Sequence, residues 1–140
     1  MSAPVTLDEG VRLPVWRRGA PLLAVIAARV LARAKPYRIR RILERLRRGA
    51  APATHGQALA ARQHVVAVST MCAGRYCLQR SLAAALLCRM RGTWPTFCTG
   101  VRTSPFYAHA WIAVDGVAVG EPHGTAGLRP LMVVGPGTVG

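Results

Sequence analysis

Residues 75–92 read RYCLQRSLAAALLCRMRG, and residues 109–122 read HAWIAVDGVAVGEP. The first stretch predicts a buried helix running from Cys77 to a stop at Gly92. Leu78, Leu82, Ala85 and Leu86 recur at helical spacing, and Ala83 and Ala84 let neighbours approach closely. The second stretch has period two and predicts a strand, Tyr107–Val114, which follows another at Thr96–Arg102. Asp115-Gly116 is a two-residue hairpin signal. The return strand is expected over Val117–Glu121, stopped by Pro122, and Leu131–Val134 can add one more.

Outward from these stretches the chain turns helical. Residues 20–34 read as a helix that is apolar almost all round, and Lys35-Pro36 breaks it. A second helix is expected from about Tyr37 to Arg48, ended by Gly49. Its Ile39, Ile42, Leu43 and Leu46 form one face, opposite a stripe of Arg38, Arg41, Arg45 and Arg48. That stripe reads as a solvated face or as a docking surface for something acidic. Residues 50–56 read as a loop, Gln57–Ser69 as a third helix and Met71–Gly74 as a connector. Residues 1–19 read as an arm with a short hairpin near Glu9-Gly10. Helices first and an antiparallel meander after them make the fold class α+β. Its expected organisation is one domain: the arm, a helical part over 20–70, a catalytic core over 75–134 and a frayed tail over 135–140.

Eighteen arginines and Lys35 face only Asp8, Glu9, Glu44, Asp115 and Glu121, for a formal charge of +14. Such a surface attracts acidic partners, whether peptide, protein, membrane or nucleic acid. No basic-then-apolar leader opens the chain, and the apolar run Pro21–Ala28 is too short to span a bilayer, so a cytoplasmic protein is expected. Its cysteines, Cys72, Cys77, Cys88 and Cys98, are then expected to be reduced. They form no CxxC pair, which argues against a zinc site. Cys77 and Cys88 would sit about 16 Å apart on one helix, too far to bond. His55 and His64 read as surface or packing histidines.

Cys77 stands out because it opens its helix. Free N–H groups and the helix dipole favour a thiolate there, and the same N–H groups can hold an oxyanion. Taken alone, a cysteine is more often a small buried hydrophobe, and Cys88 and Cys98 read that way. His109 shares a strand face with Tyr107, Trp111 and Ala113, and is the candidate base for Cys77. A thiolate–imidazolium pair needs a third group to hold the ring. The chain has no asparagine, and the only acids after Glu44 are Asp115 and Glu121. Asp115 lies roughly 20 Å from His109 along an extended strand. Glu121 is folded back beside it by the hairpin. In an ideal two-residue hairpin, however, His109 would face Pro122 and Glu121 the other side of the sheet. A bulge at Gly120 or a longer loop would correct this. Ser81, one turn after Cys77, reads as a helix-surface hydroxyl that could instead brace the site. His123 is a competitor to Glu121.

The run Cys77-Leu-Gln-Arg-Ser81, then Thr99-Gly100-Val101, then His109-Ala-Trp111 with Asp115-Gly116, resembles the transglutaminase-like cysteine proteases of lasso-peptide biosynthesis. These are leader peptidases related to the microcin-processing enzyme. The resemblance covers about residues 20–122 and is strongest over Cys77–Glu121. His-Ala-Trp is common to the wider transglutaminase-like superfamily. The small size, the basic N-terminal helices and the Cys-Leu-x-x-Ser run point to the peptidase. The resemblance implies a papain-like triad with Cys77 as nucleophile, His109 as base and Glu121 as acid, where many relatives carry aspartate. It implies no cofactor and no metal. It also implies partners: a ribosomally made precursor whose leader is removed, a small leader-binding (RiPP recognition element) protein, and the ATP-using lasso cyclase as a further candidate. Nucleic acid is disfavoured on this reading. Two alternatives stand beside it: a transglutaminase-like acyl-transferase or deamidase using the same site, and a non-catalytic basic binding module.

Overall fold

The computed structural model describes residues 15–69, 77–121, 125 and 127–137. The expected N-terminal hairpin and the connector at 71–74 fall outside these residues, apart from the end of the arm, as do Cys72, Pro122 and His123. After a 3-10 turn at Val15–Arg17 come α1 (Gly19–Leu31), α2 (Pro36–Leu46), β1 (Ala51–Pro52), α3 (His55–Val68), α4 (Cys77–Met90), β2 (Thr93–Trp94), β3 (Thr96–Thr103), β4 (Phe106–Val114), β5 (Val117–Ala118) and β6 (Arg129–Val134). Among the described residues, four α-helices and a main antiparallel sheet make the architecture α+β.

α4 is the axis of the molecule. Leu82, Ala83, Ala84, Ala85 and Leu87 are all fully buried. The helix is therefore enclosed on nearly every side rather than along the expected stripe, in which Leu78 and Leu86 are only half-buried. Its three consecutive alanines carry no bulk, which lets α1 and α3 pack against it while β4 crosses another side. Each large apolar side chain sealed in this interior contributes roughly 1.5–3 kcal/mol.

The helical boundaries follow local chemistry. α1 stops three residues short of the expected Ala34, and the chain tightens through Arg33 N–H to Val30 O and Ala34 N–H to Leu31 O. Lys35 is extended and Pro36 opens α2, where its missing N–H costs nothing. The last carbonyls of α2 are taken from outside: Arg89 Nε, on α4, donates to Leu46 O at 2.6 Å. α3 begins at His55, two residues earlier than expected. Thr54 and Gln57 form a reciprocal box there, with Gln57 N–H donating to Thr54 Oγ1 (3.1 Å) and Thr54 N–H donating to Gln57 Oε1 (2.9 Å). The expected loop before it also contributes β1, which pairs in parallel with β2.

The main sheet has strand order β5-β4-β3-β6, antiparallel throughout. β3 and β4 pair from Thr96↔Ala113 to Thr103↔Phe106. Asp115 (φ 52°) and Gly116 (φ 80°) both take the left-handed conformation that a tight hairpin turn demands. β5 then lasts two residues instead of the expected five. One sheet face joins the helices in the main core through Phe97, Ile112, Val119 and Val134, beside Trp94, whose indole N–H donates to Val134 O at 3.1 Å. The other face carries a small cluster of Cys98, Trp111 and Ala113. Among the described residues no helix is long and apolar enough to cross a membrane.

Candidate active site

Cys77 is the first residue of α4 and is half-buried. The enclosure of α4 fixes where that first turn points, and it points at the outer edge of β4. The alternation of the ladder explains what it finds there. Val119 N–H donates to Ile112 O at 2.9 Å, so the even-numbered residues of β4 turn their backbone groups toward β5. β5 is too short to reach Ala110. The Ala110 N–H is left for the Cys77 sulfur, which accepts it.

His109 comes from the same stretch of β4, and a side-chain hydrogen bond links it to Cys77. On its other side, His109 Nε2 lies 2.6 Å from Glu121 Oε1. With Nε2 held by the carboxylate, Nδ1 is the nitrogen left to face the sulfur. Both members of this contact are well covered, at 11% and 9% side-chain exposure, so water does not screen it away. The ring is also stacked between neighbours on its own strand face. Tyr107 lies 5.7 Å away at 18°, and Trp111 5.9 Å away at 16°. Trp111 in turn lies over Gly100, where an added Cβ would come within 3.1 Å of the indole.

Glu121 reaches the ring by a bend at Gly120, which has φ +67°. The two-residue Asp-Gly turn is kept, and in an uninterrupted strand Glu121 would lie on the face opposite His109. The left-handed Gly120 turns the chain after Val119, and the carboxylate returns to the histidine's side.

The electrostatics separate the cysteines. Burial pushes the Cys77 thiol up, but the His109 hydrogen bond, the Ala110 N–H, the His109 charge and the Arg80 guanidinium outweigh it, so its pKa falls below the ordinary 9.0. At Cys88 a hydrogen bond from Thr93 and the charge of Arg91 are too weak to offset burial, at Cys98 burial acts alone, and each thiol is pushed up to about 11. His109 is raised from 6.5 to about 9, first by its hydrogen bond to Cys77, then by that to Glu121, with burial opposing both. The site therefore favours a thiolate–imidazolium pair, in which a charged sulfur is held next to its own acid.

Of the other residues singled out in the sequence, Asp115 is exposed in the hairpin turn, away from the ring. His55 is exposed at the start of α3, and His64 Nδ1 is bonded to Arg91 Nη2 at 2.8 Å. Ser81 is only 4% exposed, so it is a buried hydroxyl and not the surface one expected. Sequence reasoning passed over Arg62 and Arg80, each only 8% exposed. The signal was available at Arg62, an arginine set within the apolar period of α3. Among the described residues no group of three or more His, Cys, Asp or Glu side chains converges as a metal would require.

The family described as the transglutaminase-like superfamily matches residues 22–133 of the chain. No curated protein and no solved structure matches it.

Proposed function

The chain belongs to the transglutaminase-like superfamily, whose members typically use cysteine-based catalysis, and on that footing we propose that it is a cysteine peptidase removing the leader from a ribosomally made precursor in lasso-peptide maturation. The observation that carries the catalytic part is the continuous link from Cys77 through His109 to Glu121, with the thiol held below its ordinary pKa.

On this reading the Cys77 thiolate attacks the scissile carbonyl, forming a C–S bond. Backbone N–H groups at the start of α4 stabilise the oxyanion. The His109 imidazolium then gives its proton to the departing amine as the C–N bond breaks. Neutral His109, oriented by Glu121, takes a proton from water, which attacks the acyl-thioester; the C–S bond breaks, the acid is released, and the Cys77 thiolate and His109 imidazolium are restored.

The peptidase assignment, as against acyl transfer, is supported by the Cys77-Leu-x-x-Ser81 run and by the basic helices. Arg38, Arg41 and Arg45 line a surface cleft on α2 together with Ile42. Glu44 pairs with Arg40 at 3.7 Å, and no other carboxylate among the described residues serves Arg41 or Arg45. The cleft suits an acidic leader or the acidic face of the protein that presents it. The deciding experiment incubates the precursor with this protein and the leader-binding partner and follows masses. Separate leader and core masses, absent with Cys77→Ala, are expected. Amine-adduct or deamidated products without cleavage would instead establish the acyl-transferase reading, and an intact precursor would leave the binding-module reading.

A further inference from the structure

The buried face of α3 comprises Ala58, Ala61, Arg62, Val65 and Val66, which is i, i+3, i+4, i+7, i+8. Arg62 thus occupies a slot where packing calls for an apolar side chain. Its stem does not carry the charge back to water, since the whole residue is only 8% exposed. A buried guanidinium in such a slot calls for partners of its own, and its packing shows what else it serves.

It lies against Gly120. A Cβ at that position would sit 2.8 Å from Arg62 Cδ, 2.9 Å from Nε and 3.1 Å from Cζ. The guanidinium end of Arg62 therefore fills the volume that any side chain at 120 would need. Gly120 is also the bend, at φ +67°, from which Glu121 returns to His109. Up to Val119 the segment is held by the β5 pairs, by the Val119 N–H bond to Ile112 O and by the burial of Val119, so the free choice of direction begins at Gly120. α3, by contrast, packs firmly on α4, the helix that carries Cys77.

We propose that Arg62 is a positioning residue for Glu121: packed onto the Gly120 bend, it fixes the direction in which the carboxylate leaves the hairpin. This rests on reading Cys77, His109 and Glu121 as one triad. Arg62 acts through the Gly120 bend on which it packs. It ties the acid to the scaffold that holds the nucleophile, so that the two ends of the triad share one support. The absence of a side chain at 120 and the presence of arginine at 62 are two halves of one fit.

The test is the pH dependence of Cys77 alkylation by iodoacetamide, followed by peptide mass mapping on the full chain. The wild-type rate is expected to step up below the ordinary thiol value of 9.0. In Arg62→Met, which keeps the stem and loses the planar charged end, the step moves up toward 9.0 and the rate at neutral pH falls several-fold. Arg62→Lys gives an intermediate step, and it carries the test if the methionine variant fails to fold by circular dichroism. Gly120→Ala shifts the step in the same direction, and combining it with Arg62→Met adds little, since both act on one bend. A purely structural role would lower the melting temperature without moving the step. Unmoved steps in the folded Arg62 variants, or fully additive shifts in the double variant, overturn the proposal. A wild-type step at the ordinary thiol value would instead overturn the triad reading on which it rests.

Discussion

His109 and Glu121 meet at 2.6 Å although their positions in the hairpin assign them to opposite faces of the sheet. A single left-handed residue, Gly120, reconciles the two. The contact aligns the imidazole and supports its charge. Its removal is therefore expected to act on the proton inventory of the site before it acts on the fold. In Glu121→Gln an oxygen still faces the ring but carries no charge, so His109 loses part of its elevation above 6.5. We expect the alkaline limb of the proposed peptidase activity to move to lower pH in Glu121→Gln, with a larger loss of kcat in Glu121→Ala. His109→Ala is expected to cost about 10²–10⁴-fold in kcat/KM. A Glu121→Gln enzyme with an unshifted limb would dissociate the carboxylate from the function of His109.

Cys77 is expected to be alkylated by iodoacetamide at neutral pH well ahead of Cys88 and Cys98. Its thiol is held below 9.0, and theirs are pushed up to about 11 by burial. Tryptic peptide mapping over a time course measures the three rates separately. Comparable rates would remove the distinction. Cys77→Ala is expected to abolish the proposed precursor cleavage while near-ultraviolet circular dichroism stays native.

The pH dependence of stability follows from the same pair. His109 has a folded pKa of about 9 against an ordinary 6.5, so the stabilisation from its charged form is complete below about 6.5 and is lost as pH rises through about 9. Cys77 works in the opposite sense: its folded pKa lies below 9.0, so the thiolate's contribution is present above 9.0 and is lost as pH falls through the folded value. Denaturant melts of the wild type are thus expected to lose stability through pH 9 relative to His109→Gln. Parallel profiles for the two proteins would contradict the elevated value.

Gly100 faces His109 across the β3–β4 ladder and gives Trp111 its seat. A Cβ there would come within 3.0 Å of Arg129 O and 3.1 Å of the Trp111 ring. Gly100→Ala is expected to displace the indole, loosen its stack with His109 and lower stability by about 1–3 kcal/mol. The indole's fluorescence and the denaturation midpoint report the two effects together. An unchanged midpoint would show that the strand yields without cost.

Arg41→Glu with Arg45→Glu is expected to raise KM for an acidic precursor about tenfold or more and leave kcat close to wild type, because the cleft on α2 would bind leader and not reacting atoms. The wild-type KM should climb with salt. A loss confined to kcat would argue against a docking role.

Much of the architecture could be read because its signals repeat. Ile39 and Leu43 mark the buried face of α2, and the alternation over Tyr107–Val114 places His109 and Trp111 on one face. Asp115-Gly116 announces its turn through two residues that tolerate positive φ. The failures have equally local causes. β1 and β2 are two residues each, too short to establish any period. Pro52 and Gly56 pulled residues 50–56 toward a loop, although Thr54-x-x-Gln57 spells a helix start. The burial of Ser81 was hidden because α4 is enclosed on nearly all sides, and its pattern has no outward face to contrast with an inward one. Gly120 packs against Arg62, 58 positions earlier in the chain, and no local window contains both.

The two halves of the site differ in anchorage. The sulfur rides on a helix sealed in the interior, whereas the carboxylate, beyond a strand of two residues, is joined to that scaffold through the single bend at Gly120. Warming should therefore detach the acid long before it disturbs the nucleophile. Heat would silence such an enzyme while its fold is still whole, and cooling would restore it without any refolding delay.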